Sequence, residues 1–176
     1  MMTNELTATV IARRFRSMVR KATPGDIAAA SLWYREAEDI AREIADDVEI
    51  GASVISAFSP RQRWATNVTH ARMFMAGENP RTLGNNLRMA HRALNMGFDA
   101  LNGLKTNAFA RAIAGDANAV VVDVWMMRAA GFEHDSPNVG QYRMVTEAVN
   151  RIARETGLEP RVAQALIWIL QRGEAF

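Results

Sequence analysis

Two residues with complementary chemistry stand 18 positions apart in the middle of the chain. Lys105 opens a predicted helix after a glycine-containing turn at residues 101–104, and Asp123 opens the next helix after three consecutive valines. If these helices pack side by side, the amine and the carboxylate face one cleft. An amine can attack a sugar carbon, and a carboxylate can stabilise the positive charge that develops at the anomeric centre. The pair therefore predicts chemistry at a glycosidic bond.

The lysine is informative because the chain otherwise uses arginine. Only Lys21 and Lys105 are lysines among 21 basic residues, and an arginine stays protonated and cannot replace an amine nucleophile. Lys21 lies in a basic N-terminal run and is interpreted as a solvated charge. Simpler interpretations stand beside the catalytic one: Asp123 occupies a position that favours a helix N-cap, and Lys105 in a first helical turn is typical of a surface charge.

The turn before Lys105 predicts a phosphate-binding element. A glycine turn that leads into a helix points free backbone N–H groups outward, and these groups bind phosphate. The residues expected to contact DNA there are Asn102, Gly103, Leu104 and Thr106.

Around these residues the chain resembles the helix-hairpin-helix DNA glycosylases (the HhH-GPD superfamily) of the endonuclease III type. That family has Lys-Thr after its hairpin and Val-Asp 17 and 18 residues beyond the lysine, followed by an arginine. Here Lys105-Thr106, Val122-Asp123 and Arg128 match those positions, and residues 54–57 are similar to the family's Leu-Leu-Ser-Ala segment. The resemblance covers residues 50–132.

The resemblance implies duplex DNA as the partner, no cofactor, and a target base flipped out of the helix. Lys105 would attack C1′ of the sugar and form a Schiff base, and Asp123 would activate it and stabilise the oxocarbenium-like state. Phe58 stands where many members have a glutamine that fills the space left by the base, and it would wedge into the stack. Trp64 and Trp125 would line the base pocket. Two further DNA contacts are assigned to Arg61 and Arg63.

The chain also departs from the family pattern. Its hairpin is two residues shorter and keeps one glycine, and the four-cysteine cluster of many members is absent. Short chains of this kind resemble phage-encoded proteins. Two alternatives follow: a non-enzymatic phage protein that uses the scaffold to bind DNA or a host protein, and a phage enzyme that modifies a DNA base with Asp123 but another acceptor.

Helical periodicity dominates the rest of the sequence and predicts one all-α domain over residues 1–176, with the glycosylase-like core at 50–132. A short apolar segment, residues 52–58, precedes Ser59-Pro60, which is typical of a helix start. The predicted helices span residues 27–48, 59–75, 82–97, 105–115, 123–131, 139–156 and 160–172.

Composition and charge limit the function classes. The 176 residues are 49% hydrophobic and 23% charged and include no cysteine, which excludes disulfides and cysteine-ligated metals. The histidines His70, His91 and His134 lack metal-ligand spacing, so no metal is expected. Residues 36–49 carry a net charge of −6 and residues 50–111 one of +6. This pattern indicates either two solvated faces or a basic surface for a polyanion. No apolar run long enough for a membrane helix and no signal peptide is visible, so we expect a cytoplasmic protein without membrane contact.

Overall fold

Local capping signals set most of the helix boundaries. Five helices begin after a residue whose side chain accepts a hydrogen bond from the first turn: Thr7, Thr23, Asp47, Asp123 and Asn138. Three helices end at a glycine in the left-handed region: Gly131, Gly157 and Gly173. Such side chains and glycines satisfy the backbone groups that a helix end leaves without partners.

The computed structural model describes residues 6–173. All regular structure in that range is helical, which confirms the prediction of an all-α protein. Within the same range, no helix is both long and apolar enough to cross a membrane. The helices are α1 (Ala8–Val19), α2 (Pro24–Ile44), α3 (Val48–Phe58), α4 (Trp64–Met75), α5 (Gly84–Met96), a 3₁₀ turn (Gly97–Ala100), α6 (Leu104–Ile113), α7 (Val124–Ala130), α8 (Val139–Thr156) and α9 (Pro160–Arg172).

Three predicted boundaries were wrong. The helix expected to begin at residue 27 begins at Pro24, where the Thr23 hydroxyl accepts the Asp26 N–H at 3.2 Å. The helix expected to run to residue 48 ends at Ile44, because the Asp47 carboxylate accepts the Glu49 N–H at 2.8 Å and starts α3 there. The helix expected to begin at Ser59-Pro60 begins at Trp64, since Ser59 is the C-cap of α3. The apolar segment before Ser59 is therefore the body of α3. Helix α1 was not predicted at all.

The described residues form two compact units, where the sequence predicted one domain. The first unit contains residues 6–33 and 120–173, and the second contains residues 34–119. The proposed glycosylase-like core at 50–132 therefore extends into both units.

Helices α1, α7, α8 and α9 build the core of the first unit. Its fully buried side chains include Phe15, Met126, Met127, Ile152 and Ile167. Helix α3 is the centre of the second unit, and α4, α5 and α6 all pack against it. Every residue from Gly51 to Phe58 is buried. Helix α2 approaches α3 so closely that a Cβ on Gly51 would lie 2.2 Å from the Ala41 carbonyl oxygen, and only glycine fits there.

Candidate functional site

The turn that leads into α6 is held in place by one amide side chain. Asn107 lies in the first turns of α6, and its Nδ2 donates to the carbonyl oxygens of Phe98 at 3.0 Å and Leu101 at 3.2 Å. The Phe98 N–H donates in turn to the Glu49 carboxylate at 3.1 Å. The backbone before α6 is therefore fixed by side chains from both α3 and α6, although the hairpin is short.

The residues that begin α6 face solvent. Asn102, Gly103, Leu104 and Lys105 are exposed, and 49% of Leu104 is accessible. Gly103 is the N-cap, so no side chain caps the first turn. Thr106 is half-buried, and its hydroxyl donates to the Gly103 carbonyl at 3.1 Å. Lys105 has no ion pair among residues 6–173. The geometry leaves an amine and an uncapped helix start accessible together.

Asp123 is the N-cap of α7, and both of its carboxylate oxygens have partners. Oδ1 accepts the Met126 N–H at 3.0 Å, and Oδ2 accepts the indole N–H of Trp168 at 2.8 Å. Asp123 therefore caps α7, as the simpler interpretation of the sequence predicted. Asp123 belongs to the first unit and Lys105 to the second.

The valines before Asp123 are extended and satisfied by a tyrosine of α8. The Tyr142 hydroxyl donates to the Val120 carbonyl at 2.8 Å and accepts the Val122 N–H at 3.3 Å. One phenol thus takes the place of a neighbouring strand for a buried segment that has none. The interaction fixes the position from which Asp123 starts α7.

Burial of this phenol predicts a loss of stability at high pH. Desolvation raises the pKa of Tyr142 to about 12, whereas the unfolded chain ionises near 10. The stabilisation is therefore complete below pH 10. Between pH 10 and 12 the unfolded chain releases a proton that the folded protein keeps, so the free energy of unfolding should fall by roughly 2–3 kcal/mol. Urea denaturation across that window should show this decline in the wild type and a smaller one in Tyr142→Phe. An equal decline in both proteins would contradict the assignment.

The aromatic side chains expected at a DNA surface lie elsewhere. Phe58 is fully buried and packs edge-to-face against His70 and Phe74, with ring centroids 6.0 and 5.6 Å apart. The structure therefore corrects the prediction that Phe58 wedges into DNA, because a side chain with no exposed surface cannot enter a base stack. Trp64 is half-buried and packs edge-on against Phe109 in the second unit. Trp125 is half-buried in the first unit under the guanidinium of Arg128.

Arg61 and Arg63 are exposed, as a DNA contact requires, and they occupy the turn between α3 and α4. Arg63 is the N-cap of α4, and Arg61 adopts a left-handed φ of 60° that is uncommon for a residue with a side chain.

Three positioning residues were not found from the sequence. Asn107 and Asn86 are helical asparagines with no distinguishing local pattern, and they hold the turns before α6 and after α3. Trp168 belongs to the C-terminal motif Pro160-x-x-x-Gln164-Ala165-x-x-Trp168, which had no assigned role. No three histidine, aspartate or glutamate side chains within the described range come together as a group that could hold a metal ion.

Comparison with known proteins gives a family without an assigned activity. The model of a family of unknown function, DUF7178, matches residues 1–175. No curated protein and no solved structure matches the chain.

Proposed function

Because the chain belongs to the family of unknown function DUF7178, we propose a function from its own residues: it binds duplex DNA through the start of α6. The observation that supports this most is the uncapped first turn of α6, which presents Gly103 and the unpaired amine of Lys105 to solvent. An accessible helix N-terminus beside a cation is suited to a backbone phosphate.

The charge pattern of the second unit supports a polyanionic partner. Residues 50–111 contain eight lysine and arginine residues. Of these, Arg72 forms a salt bridge, with Glu43 at 2.8 Å, and Arg111 stacks on Phe98. The other six have no ion pair within the described part of the chain: Arg61, Arg63, Arg81, Arg88, Arg92 and Lys105. Cations without protein partners are available to neutralise phosphates.

DNA binding at this surface predicts a steep dependence on salt. The logarithm of the association constant for nonspecific duplex should fall linearly with the logarithm of salt concentration. Lys105→Ala should reduce that slope by about 1, because one phosphate contact is lost. Fluorescence anisotropy between about 50 and 200 mM salt measures both quantities. Lys21→Ala removes an exposed lysine of the first unit and is the matched control. Undetectable binding at low salt would reject DNA as the partner.

Cleavage of an N-glycosidic bond is a prediction that rests on the family resemblance and on the accessible amine of Lys105. If the amine attacks C1′, the Schiff base should be reduced by borohydride to a stable protein–DNA adduct. The adduct should form with abasic or damaged duplex, disappear in Lys105→Ala and persist in Lys21→Ala. If no adduct can be trapped although the protein still binds DNA, the lyase reaction is rejected and the DNA-binding role is kept.

A non-catalytic role is our second candidate. It is favoured by Asp123, whose two carboxylate oxygens are occupied by Met126 and Trp168 and so serve the fold. Such a protein would bind DNA, or a host protein in its place. A phage enzyme that modifies a base with Asp123 and another acceptor is the remaining alternative.

A further inference from the structure

A second group of cations in the second unit belongs to other elements than the start of α6. It consists of Arg61 and Arg63 in the turn after α3, Arg81 in the segment before α5, and Arg88 in the second turn of α5. We refer to these four as the arginine cluster. All four are exposed, and none forms an ion pair among the described residues.

A buried asparagine holds the two halves of the arginine cluster together. Asn86 is the third residue of α5 and is 2% exposed. Its Nδ2 donates to the Pro60 carbonyl at 3.1 Å and to the Phe58 carbonyl at 3.4 Å. The turn that carries Arg61 and Arg63 is therefore fixed beside the first turn of α5, and Arg81 lies three residues before that turn.

Arg88 of this cluster occupies a position that the protein itself makes unfavourable. Helices α4 and α5 begin without a capping side chain and without an acidic residue in the first turn. A guanidinium nitrogen of Arg88 lies 3.5 Å from where a Cβ on Gly84 would stand, so this cation folds back over the start of α5. Positive charge at a helix N-terminus is repelled by the helix dipole, whereas an anion there is stabilised. An anion bound at the start of α5 would be attracted by both the helix dipole and the Arg88 guanidinium.

Two buried hydroxyls that neighbour these arginines in the sequence also lack partners among the described residues. The Oγ of Ser59 and the Oγ1 of Thr82 are inaccessible to solvent and have no hydrogen-bond partner. Ser59 precedes the turn that carries Arg61, and Thr82 directly follows Arg81. Buried polar atoms are nearly always satisfied by a protein group or an ordered water, and these two hydroxyls have no protein partner among the described residues.

We propose that the arginine cluster and the uncapped starts of α4 and α5 form a binding site for a phosphate group. The site consists of other residues than the start of α6 and rests on the proposed function only for the source of the phosphate. That source is either the nucleic acid backbone or free phosphate. Arginine suits the role because its planar fork of donors can bind two phosphate oxygens at once.

The test is an amide NMR titration of the full chain at constant ionic strength, with inorganic phosphate in one series and a short duplex in another. The amides at the starts of α4 and α5 should shift in at least one series. Arg61→Ala combined with Arg88→Ala should weaken that binding at least tenfold. Lys21→Ala, which removes an exposed lysine of the first unit, is the control and should change it less than twofold.

Stability gives a second readout whose direction is diagnostic. Without phosphate, Arg88→Ala should leave the melting temperature unchanged or raise it, because a repelled cation is removed. With phosphate, the wild type should gain more in melting temperature than the variant.

The outcomes separate this proposal from the one about α6. Shifts at the starts of α4 and α5 with phosphate but not with duplex would keep this site and assign it to free phosphate. No shift at the start of α6 with duplex would reject the proposed DNA function. Shifts with duplex at lower concentration than with phosphate would assign the site to the nucleic acid backbone. No shift at either helix start, or equal binding by the Arg61/Arg88 variant, would overturn the proposal.

Discussion

Replacing Phe58 by alanine should lower the free energy of unfolding by about 3–5 kcal/mol. The ring is completely buried at the end of α3 and packs against His70 and Phe74, and Phe74 in turn packs against His91 at 4.9 Å. Removing it leaves a cavity in the second unit and breaks two edge-to-face contacts. Chemical denaturation of the wild type and the variant measures the difference.

The matched control is Leu104→Ala, which removes an apolar side chain of similar type from the surface. Leu104 is 49% exposed beside Lys105, so its replacement should change stability by less than about 1 kcal/mol and weaken duplex binding. Phe58→Ala should show the opposite pattern at a temperature where it stays folded. A Phe58→Ala protein of normal stability with impaired DNA binding would restore the wedge interpretation and contradict the core assignment.

The sequence predicted elements best where local chemistry alone sets the boundary. Helices α8 and α9 have the predicted bounds, because the Asn138 capping box, a proline at the first position of α9 and glycines at both C-termini each act within a few residues. The same kind of signal failed at Ser59-Pro60. There the Ser59 hydroxyl caps nothing, and the chain turns through Arg61 at positive φ before α4 begins.

Helix α3 was missed for a different reason. Periodicity reveals a helix only when one face is polar, and α3 is enclosed by α4, α5 and α6 on several sides. Its residues from Gly51 to Phe58 are all buried, so they form a continuous apolar run. Such a run does not distinguish a helix from a strand or a connector.

The candidate site shows the same division between local and distant determinants. The exposed turn before α6 and the capping role of Asp123 could both be predicted, because each depends on residues no more than four positions away in the sequence. The contacts of Asn86 with the turn after α3 and of Trp168 with Asp123 join residues 26 and 45 positions apart. These contacts depend on how the helices pack, and no local sequence pattern indicates that packing.

The Trp168 contact changes what a substitution of Asp123 should do. An asparagine can keep the cap, because its Oδ1 accepts the Met126 N–H as the carboxylate does. Its amide nitrogen then faces the indole N–H of Trp168, and two donors cannot bond. Asp123→Asn should therefore cost about 1–3 kcal/mol, the penalty for a partly buried donor left unpaired. Flipping the amide only moves the same conflict to Met126.

A double-mutant cycle isolates that contact and prepares a clean test of chemistry. In a Trp168→Phe background the indole donor is gone, so Asp123→Asn should cost less than about 1 kcal/mol, whereas Asp123→Ala should still lose about 1 kcal/mol from the cap. Urea denaturation of the four proteins gives the coupling energy, and an equal Asp123→Asn penalty in both backgrounds would contradict the hydrogen bond.

The Asp123→Asn substitution in the Trp168→Phe background then keeps the fold and removes only the negative charge. If borohydride traps an adduct with the Trp168→Phe protein but not with the Trp168→Phe/Asp123→Asn protein, the carboxylate acts in catalysis. If the adduct forms with both proteins, Asp123 serves only to cap α7.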